Sequence, residues 1–495
     1  MKRCLLPCVL LLLPFALFAQ QDPIALYPDF YDGIKSITSI VWDDHTNIAT
    51  VNLDNENFEL TAVNDQPQQL WRSSFVGYVL KTARFKDKII AIAATEHSNF
   101  KGAGNTYVAY LVDAANGKQL ATKEIYHGPD DYVEIPAVFT GGGNFVKLCV
   151  RQTAFARKMH VGLPGMFAMF SIGKYEKEFN ETKELDEVTL TDKLEPTTVK
   201  LPVANGSMVN WCANIKGDLF IAWFNGPTIK VYKYPDGSAS PVRQINADIS
   251  FVPNNRTMLS ESFLLHASSA NPDVLYYATS YNNPDNDAEL GVGKMDFSTG
   301  KKAFVTEAFN RDHVKTLEKS FVTINKKADD VNLGARSDLH IRYLDEAGGT
   351  LITAVTSQHF QSSSIGAGVG CLENSVLVNG YDENLATRFQ QILPANYAYA
   401  NRFLPIAYHA TRDKFYCISN EKSGLNTETG IYGCLDLASG KWEKMQALSK
   451  KHIGNAEYVD GKAVLWFGNS FAVPYFALKG LSQGNADVTL QQNGY

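Results

Sequence analysis

The chain has 495 residues, 45% of them hydrophobic and 20% charged, with a formal net charge of −6 at pH 7. That supplies the core of one very large domain or two ordinary ones. The mild acidity and the lack of any basic stripe exclude a nucleic-acid partner, and no stretch reaches the 18 or so consecutive apolar residues of a membrane-spanning helix.

The first predicted element is a leader. Lys2 and Arg3 precede an apolar run from Leu5 to Phe18, and Leu17-Phe18-Ala19 stands ahead of Gln20. Charged, apolar and small residues in that order read as a secretory signal peptide over 1–19, the apolar run being too short to span a bilayer. The mature chain is therefore expected in the periplasm or outside the cell. Losing Lys2 and Arg3 takes its net charge from −6 to −8. Five cysteines remain, Cys149, Cys212, Cys371, Cys417 and Cys434, each inside an apolar run. An odd, sparse set is no disulfide framework and reads as buried thiols, with Cys417–Cys434 as the one pairing that adjacent strands could allow.

After the leader, helical periodicity is nearly absent; the best helix candidate is AFNRDHVKTLEKS at 308–320. Short runs rich in Val, Ile, Phe, Tyr and Leu alternate instead with Gly, Asn, Asp and Pro, which predicts an all-β chain. One signal is a polar turn followed by an apolar strand. It occurs at HTNIATVNL (45), KDKIIAIAA (86), GGNFVKLCV (142), KGDLFIAWF (216) and NPDVLYYAT (271). ENSVLVNG (373), RDKFYCIS (412) and DGKAVLWFG (460) continue it. A second signal is an Asp/Gly turn between two strands, as in YLVDAANGKQLATKEI (110–125), KMDFSTGKKAFVTEA (294–308), RYLDEAGGTLITAV (342–355) and CLDLASGKWEKMQA (434–447). There the Asp accepts turn amides and the Gly supplies positive φ.

Alternating the two signals gives a four-strand unit: strand a, polar turn, b, loop, c, Asp/Gly turn, d. Residues 77–127, 207–248 and 401–449 each hold one whole unit. Such units repeated along residues 20–480 resemble the β-propeller superfamily, and among its members the divergent secreted bacterial propellers of unassigned function. The resemblance implies one propeller of four-stranded antiparallel blades, eight in number with seven as the alternative; two stacked sandwiches are the competing all-β arrangement. Residues 315–400 are spaced irregularly and could hold one blade or two. Residues 481–495 are expected to form a polar C-terminal tail.

No string carries catalytic chemistry. GVGKMD (291–296) has Ala288 where a phosphate loop needs Gly, and IGAGVGC (365–371) has Cys371 where a dinucleotide fingerprint needs Gly. GNSFA (468–472) lacks the last Gly of a nucleophile elbow and is followed by another strand, which argues against a catalytic Ser470. PDNDAELG (284–291) alternates Asp285, Asp287 and Glu289 like an oxygen-rich loop, a weak calcium possibility, but lacks the EF-hand glycine. No cofactor or other metal is expected. The six tryptophans fall in different units and read as inter-blade packing.

In a propeller the a–b and c–d turns share one end of the ring, and the b–c loops share the other with the blade-to-blade connections. The b–c loops here are the long ones (94–106, 151–165, 280–291 and 419–430), so binding residues are expected at that end. The starts of the innermost strands open there around the channel, giving Glu134, Glu261, Arg402 and Glu457 as candidate ligand-binding residues. Arg157, Lys158 and His160 overhang them from the longest loop. The reading that follows is an exported, non-catalytic recognition or scaffold module for a protein or glycan partner. The alternative is a saccharide-directed hydrolase or lyase at the channel mouth.

Overall fold

Strands of five to thirteen residues dominate a computed structural model of the protein. It describes residues 37–95, 106–129, 133–153, 181–225, 228–249, 263–282, 287–320, 338–362, 369–399, 406–422, 428–448, 457–459, 461–478 and 486–495. Blade 1 comprises β1 (Ile37–Asp43), β2 (Thr46–Asn52), β3 (Asn57–Asn64) and β4 (Gln69–Val76). Blade 2 comprises β5 (Tyr78–Phe85), β6 (Lys88–Ala94), β7 (Thr106–Asp113) and β8 (Gln119–His127). Blade 3 comprises β9 (Val133–Thr140), β10 (Val146–Thr153), β11 (Thr182–Leu190) and β12 (Pro196–Lys200). Blade 4 comprises β13 (Ser207–Ala213), β14 (Leu219–Asn225), β15 (Thr228–Tyr234) and β16 (Arg243–Ala247). Blade 5 comprises β17 (Phe263–Ala267), β18 (Val274–Asn282), β19 (Ala288–Asp296) and β20 (Lys302–Phe309), and helix α1 (Arg311–Ser320) follows it.

Blade 6 comprises β21 (Asp338–Ala347), β22 (Thr350–Ser362), β23 (Val369–Tyr381) and β24 (Thr387–Tyr399). Blade 7 comprises β25 (Ala407–Ala410), β26 (Lys414–Lys422), β27 (Glu428–Asp436) and β28 (Lys441–Ala447). Blade 8 comprises β29 (Glu457–Val459), β30 (Leu465–Trp466), β31 (Ser470–Leu478) and β32 (Ala486–Gly494). All pairings within blades are antiparallel. The sheets of blades 6 and 7 merge only through one parallel bridge, Asn396 to Glu421. The first strands of blades 1 to 6 touch one another in succession, which makes them the inner ring of an eight-bladed β-propeller.

The packing explains why the strands lack clean polar alternation. Ile89, Ala91 and Ala93 of β6 face blade 1, while Ile90, Ile92 and Ala94 face blade 3. In β18, Val274, Tyr276 and Ala278 face blade 6, and Leu275 and Tyr277 face blade 4. A strand between two neighbours is apolar on both faces because both are buried. Blade 8 meets blade 1 through polar closure: Ser39 Oγ donates to the Val464 carbonyl (3.0 Å), Asn47 Nδ2 to the Trp466 carbonyl (2.5 Å) and the Gly468 amide to the Asp44 carbonyl (2.9 Å).

A buried asparagine at the end of strand b staples the next blade's first strand twice. Asn52 Nδ2 donates to the Val79 carbonyl (3.1 Å) and its Oδ1 accepts the Val79 amide (2.7 Å). Asn420 does the same with Val459, at 2.8 Å both ways. Asn420→Ala would leave the Val459 amide and carbonyl buried without these partners. We expect it to destabilise the fold by about 2–3 kcal/mol in urea unfolding, whereas an exposed control such as Asn116→Ala should move it by under about 0.5 kcal/mol.

The Asp/Gly turns form as expected in blades 2, 5 and 7. Gly117, Gly300 and Gly440 have φ of 72°, 80° and 65°, and their amides donate to the carbonyls of Asp113, Asp296 and Asp436. The Asp296 carboxylate also accepts the Ser298 hydroxyl and amide and the Thr299 hydroxyl, and this holds its pKa down at about 2. A depressed carboxylate pKa stabilises the fold above its unfolded value of 3.8 and loses that contribution as pH falls through about 2. Asp296→Asn is therefore expected to flatten the acid-unfolding curve between those values. An unchanged midpoint in a pH titration of near-UV circular dichroism would refute this.

Four sequence expectations change. RYLDEAGGTLITAV turns between β21 and β22, an a–b turn rather than a c–d one, and ENSVLVNG lies in strand c of the single, long-stranded blade 6. DGKAVLWFG supplies a 3-10 turn (461–463) and β30, so strand b of blade 8 is β31. Of the expected polar tail, residues 486–494 are β32, paired along all of β31, and Tyr495 stacks on Tyr416 with ring centroids 4.3 Å apart. α1 lies inside the predicted helix, capped by Asn310 Oδ1 on the His313 amide, with Val314 and Leu317 packed into the blade 5–6 core. Cys417 and Cys434 are free: they sit one residue out of register, opposite Gly433 and Tyr416, so their thiols enter different inter-blade cores.

Candidate functional site

The b–c end of blade 3 concentrates buried polar side chains. Glu134 on β9, Gln152 on β10 and Glu184 on β11 pair across one row, so all three project from the same face, toward blade 2. Asp186 follows Glu184 by two residues and shares that face. From blade 2, Tyr107 and Tyr126 lie opposite, their rings 5.9 Å apart. The Tyr126 hydroxyl donates to Asp186 Oδ2 (2.7 Å) and accepts from Gln152 Nε2 (2.7 Å), which also reaches Asp186 Oδ2 (3.3 Å). Burial pushes both tyrosine hydroxyls well above their ordinary range, followed by the charge of Glu134 for Tyr107 and the hydrogen bond to Asp186 for Tyr126, so they remain protonated donors.

Beside this cluster lies a groove of about 470 Å³, within the range of small-ligand sites. Glu124, Tyr126 and His127 of β8 form one wall; Glu184 and Asp186 of β11 and Lys200 of β12 form the other. Gln152 lies between them, only 1% exposed, and Asp186 is 4% exposed. Two acceptors stay open: Asp186 Oδ1 and Gln152 Oε1 are buried without a hydrogen-bond partner among the described residues. Lys200 does not fill the gap, because its ammonium pairs with Glu184 at 3.1 Å. His127 Nδ1 is engaged by the Thr106 hydroxyl (2.9 Å).

On the other face of blade 3, Arg151 is 8% exposed and among the described residues reaches only the Met208 carbonyl, at 3.4 Å; burial lowers its pKa to about 10. Burial pushes the thiols of Cys149, Cys212 and Cys417 up, which leaves them structural rather than reactive.

Of the residues predicted to line the channel mouth, Glu134 and Glu457 do begin first strands, β9 and β29. Glu134, however, is 4% exposed and turns toward Tyr107 and Tyr126, where a Cβ on Gly128 would overlap its carboxylate. Glu261, Arg402, Arg157, Lys158 and His160 lie outside the described residues. So does Asp285 of the proposed calcium loop; Asp287 precedes β19, and Glu289 in β19 accepts the Tyr281 hydroxyl (2.6 Å). Among the described residues no cluster of three His, Cys, Asp or Glu side chains could hold a metal, and no helix is long and apolar enough to cross a membrane. The tryptophans serve packing: Trp71 and Trp442 donate across blades to the Ala114 and Ile392 carbonyls, and Trp466 lies in the blade 7–8 core. Sequence reasoning passes over Gln152 and Asp186, because CVRQT and ELDEV read as half-polar strands, whereas the fold buries both residues.

The sequence matches no family profile and no curated protein. Solved structures similar to it are propellers of varied roles. The WD40 domain of SCAP from fission yeast is 8% identical, with 93% of this chain and 96% of that one covered and a TM-score of 0.39. The propeller domain of the Trilobed protease from Pyrococcus furiosus is 7% identical over 84% and 97%, at 0.38, and the Dos1 propeller 9% identical over 78% and 74%, at 0.40. At such identities the likeness concerns fold alone.

Proposed function

We propose that this chain is an exported, non-catalytic propeller that recognises a protein partner through the groove between blades 2 and 3. The observation that carries the reading is the pair of open, buried acceptors, Asp186 Oδ1 and Gln152 Oε1, on two residues that line the groove. Folding normally satisfies such atoms internally, and each one left open costs about 1–3 kcal/mol. A site that holds them open is suited to a ligand that brings donors. The leader-like start, Lys2 and Arg3 before Leu5 to Phe18, supports export. The groove also lies at the end bearing the long b–c loops, as expected of a recognition face.

The test is affinity capture from the native exported fraction on immobilised wild type and Asp186→Asn side by side. Partners enriched at least tenfold on wild type and lost on the variant are expected; equal recovery on both columns would sink the reading. A saccharide-directed hydrolase or lyase is the second reading. It is favoured by the approach of two buried carboxylates, Glu134 and Asp186, to one tyrosine, Tyr126. It predicts turnover of a glycan substrate that Asp186→Asn abolishes.

A further inference from the structure

We infer that the groove between blades 2 and 3 receives a single cationic side chain, a lysine ammonium or an arginine guanidinium, carried by the partner. The inference rests on the recognition reading above and specifies its chemistry. Asp186 is a buried carboxylate with one oxygen satisfied and the other open. A buried charge is costly unless paired, and here the two donors, Tyr126 and Gln152, are neutral groups that both serve Oδ2. Asp186 pairs with Lys200 in the β11–β12 register, yet the Lys200 ammonium is held by Glu184.

The charge of the lining points the same way. Three carboxylates, Glu124, Glu184 and Asp186, face one lysine, Lys200, and the His127 ring is hydrogen-bonded to Thr106. An anion would be repelled. A sugar hydroxyl could satisfy the open acceptors but would leave Asp186 without an ion-pair partner, with only the more distant field of the Glu184-bound Lys200. An ammonium or guanidinium supplies both donors and charge, and hydrogen bonds between ionised partners are about twice as strong as neutral ones. Tyr126, Ile125 and Pro129 offer apolar surface for the aliphatic stem of such a side chain.

The test uses the full mature chain and four probes, Nα-acetyl-lysine methylamide, agmatine, methyl α-glucoside and acetate, titrated by saturation-transfer NMR. The two cations are expected to bind with Kd of about 1–10 mM, the affinity open to one side chain. Asp186→Asn should weaken them at least tenfold. Lys200→Gln, an exposed change that frees Glu184, should tighten them about threefold and keeps the test decisive if the Asp186 variant misfolds. Binding of the glucoside with exclusion of both cations would overturn the inference while leaving a groove that recognises glycans. Cation binding indifferent to both substitutions would also overturn it, as would no binding by any probe. In either case the recognition reading stands or falls separately, on the capture comparison.

Discussion

Lys147→Met is expected to destabilise the protein by about 3–5 kcal/mol, the usual consequence of removing one partner from a buried ion pair. The Lys147 side chain is wholly buried between blades 3 and 4, where its ammonium bonds to Glu187, 1% exposed, and to Asp236 at 2.6 Å. Burial opposes its charge, but the bonds to Asp236 and Glu187 prevail, and the folded-state pKa lies above the ordinary lysine value. A raised lysine pKa contributes stability that is fully present below the unfolded value of 10.5 and is lost as pH rises through the folded one. Wild type should thus lose stability in the alkaline range above 10.5, and Lys147→Met should lack that limb. The double variant Lys147→Met/Glu187→Leu removes the stranded carboxylate and should recover most of the loss. Urea unfolding of the three proteins at pH 7 checks this; equal destabilisation in the single and double variants would contradict it.

Deleting residues 486–495 is expected to be more severe, abolishing cooperative unfolding of the ring. The deletion exposes the whole edge of β31, nine residues from Ser470 to Leu478, whose amides and carbonyls pair with β32. It also removes Tyr495, which stacks on Tyr416 and donates its hydroxyl to the Phe467 carbonyl (2.8 Å). Trp466 and Phe471 lie beside it in the blade 7–8 core. Phe467 and Gly468 in turn join β30 to β31 and to Asp44 of blade 1, so damage here reaches the closure of the ring. We expect the truncated chain to aggregate at an exposed strand edge or to melt at least 10 °C lower. A single, unshifted melting transition would show that β32 is dispensable.

Much of the architecture was legible because two local rules repeat. Asp113 with Gly117, Asp296 with Gly300 and Asp436 with Gly440 advertise c–d turns through chemistry that any reader of turns can use. Two other c–d turns hide. In blades 3 and 6 the left-handed position is taken by Leu194 (φ 61°) and Leu385 (φ 65°), each only 1% exposed. There, burial of a large apolar side chain outweighs local strain, so the glycine signal vanishes. The same disguise covers β32, whose run ADVTLQQNG reads as polar because its composition, not its pairing, is what a sequence displays.

The site was legible only as a direction. Loop lengths pointed to the b–c end, and Glu134 lies in the cluster there, but its side chain turns into the interface with blade 2 rather than standing at a mouth. Side-chain direction at a strand start depends on register, and register is set by partners far away in the chain. Glu134 meets Gln152 and Glu184 only once β9, β10 and β11 have paired, and Glu134, Gln152 and Asp186 meet Tyr126 only once blade 3 has docked on blade 2.

Recognition through the groove requires Asp186 and Gln152 to be open acceptors that a partner's donor fills. A crystal structure of the mature protein soaked with Nα-acetyl-lysine methylamide tests this most directly. The prediction is an ammonium within about 3 Å of both Asp186 Oδ1 and Gln152 Oε1, with the aliphatic stem against Tyr126. An empty groove in which a protein donor already occupies Asp186 Oδ1 would contradict it.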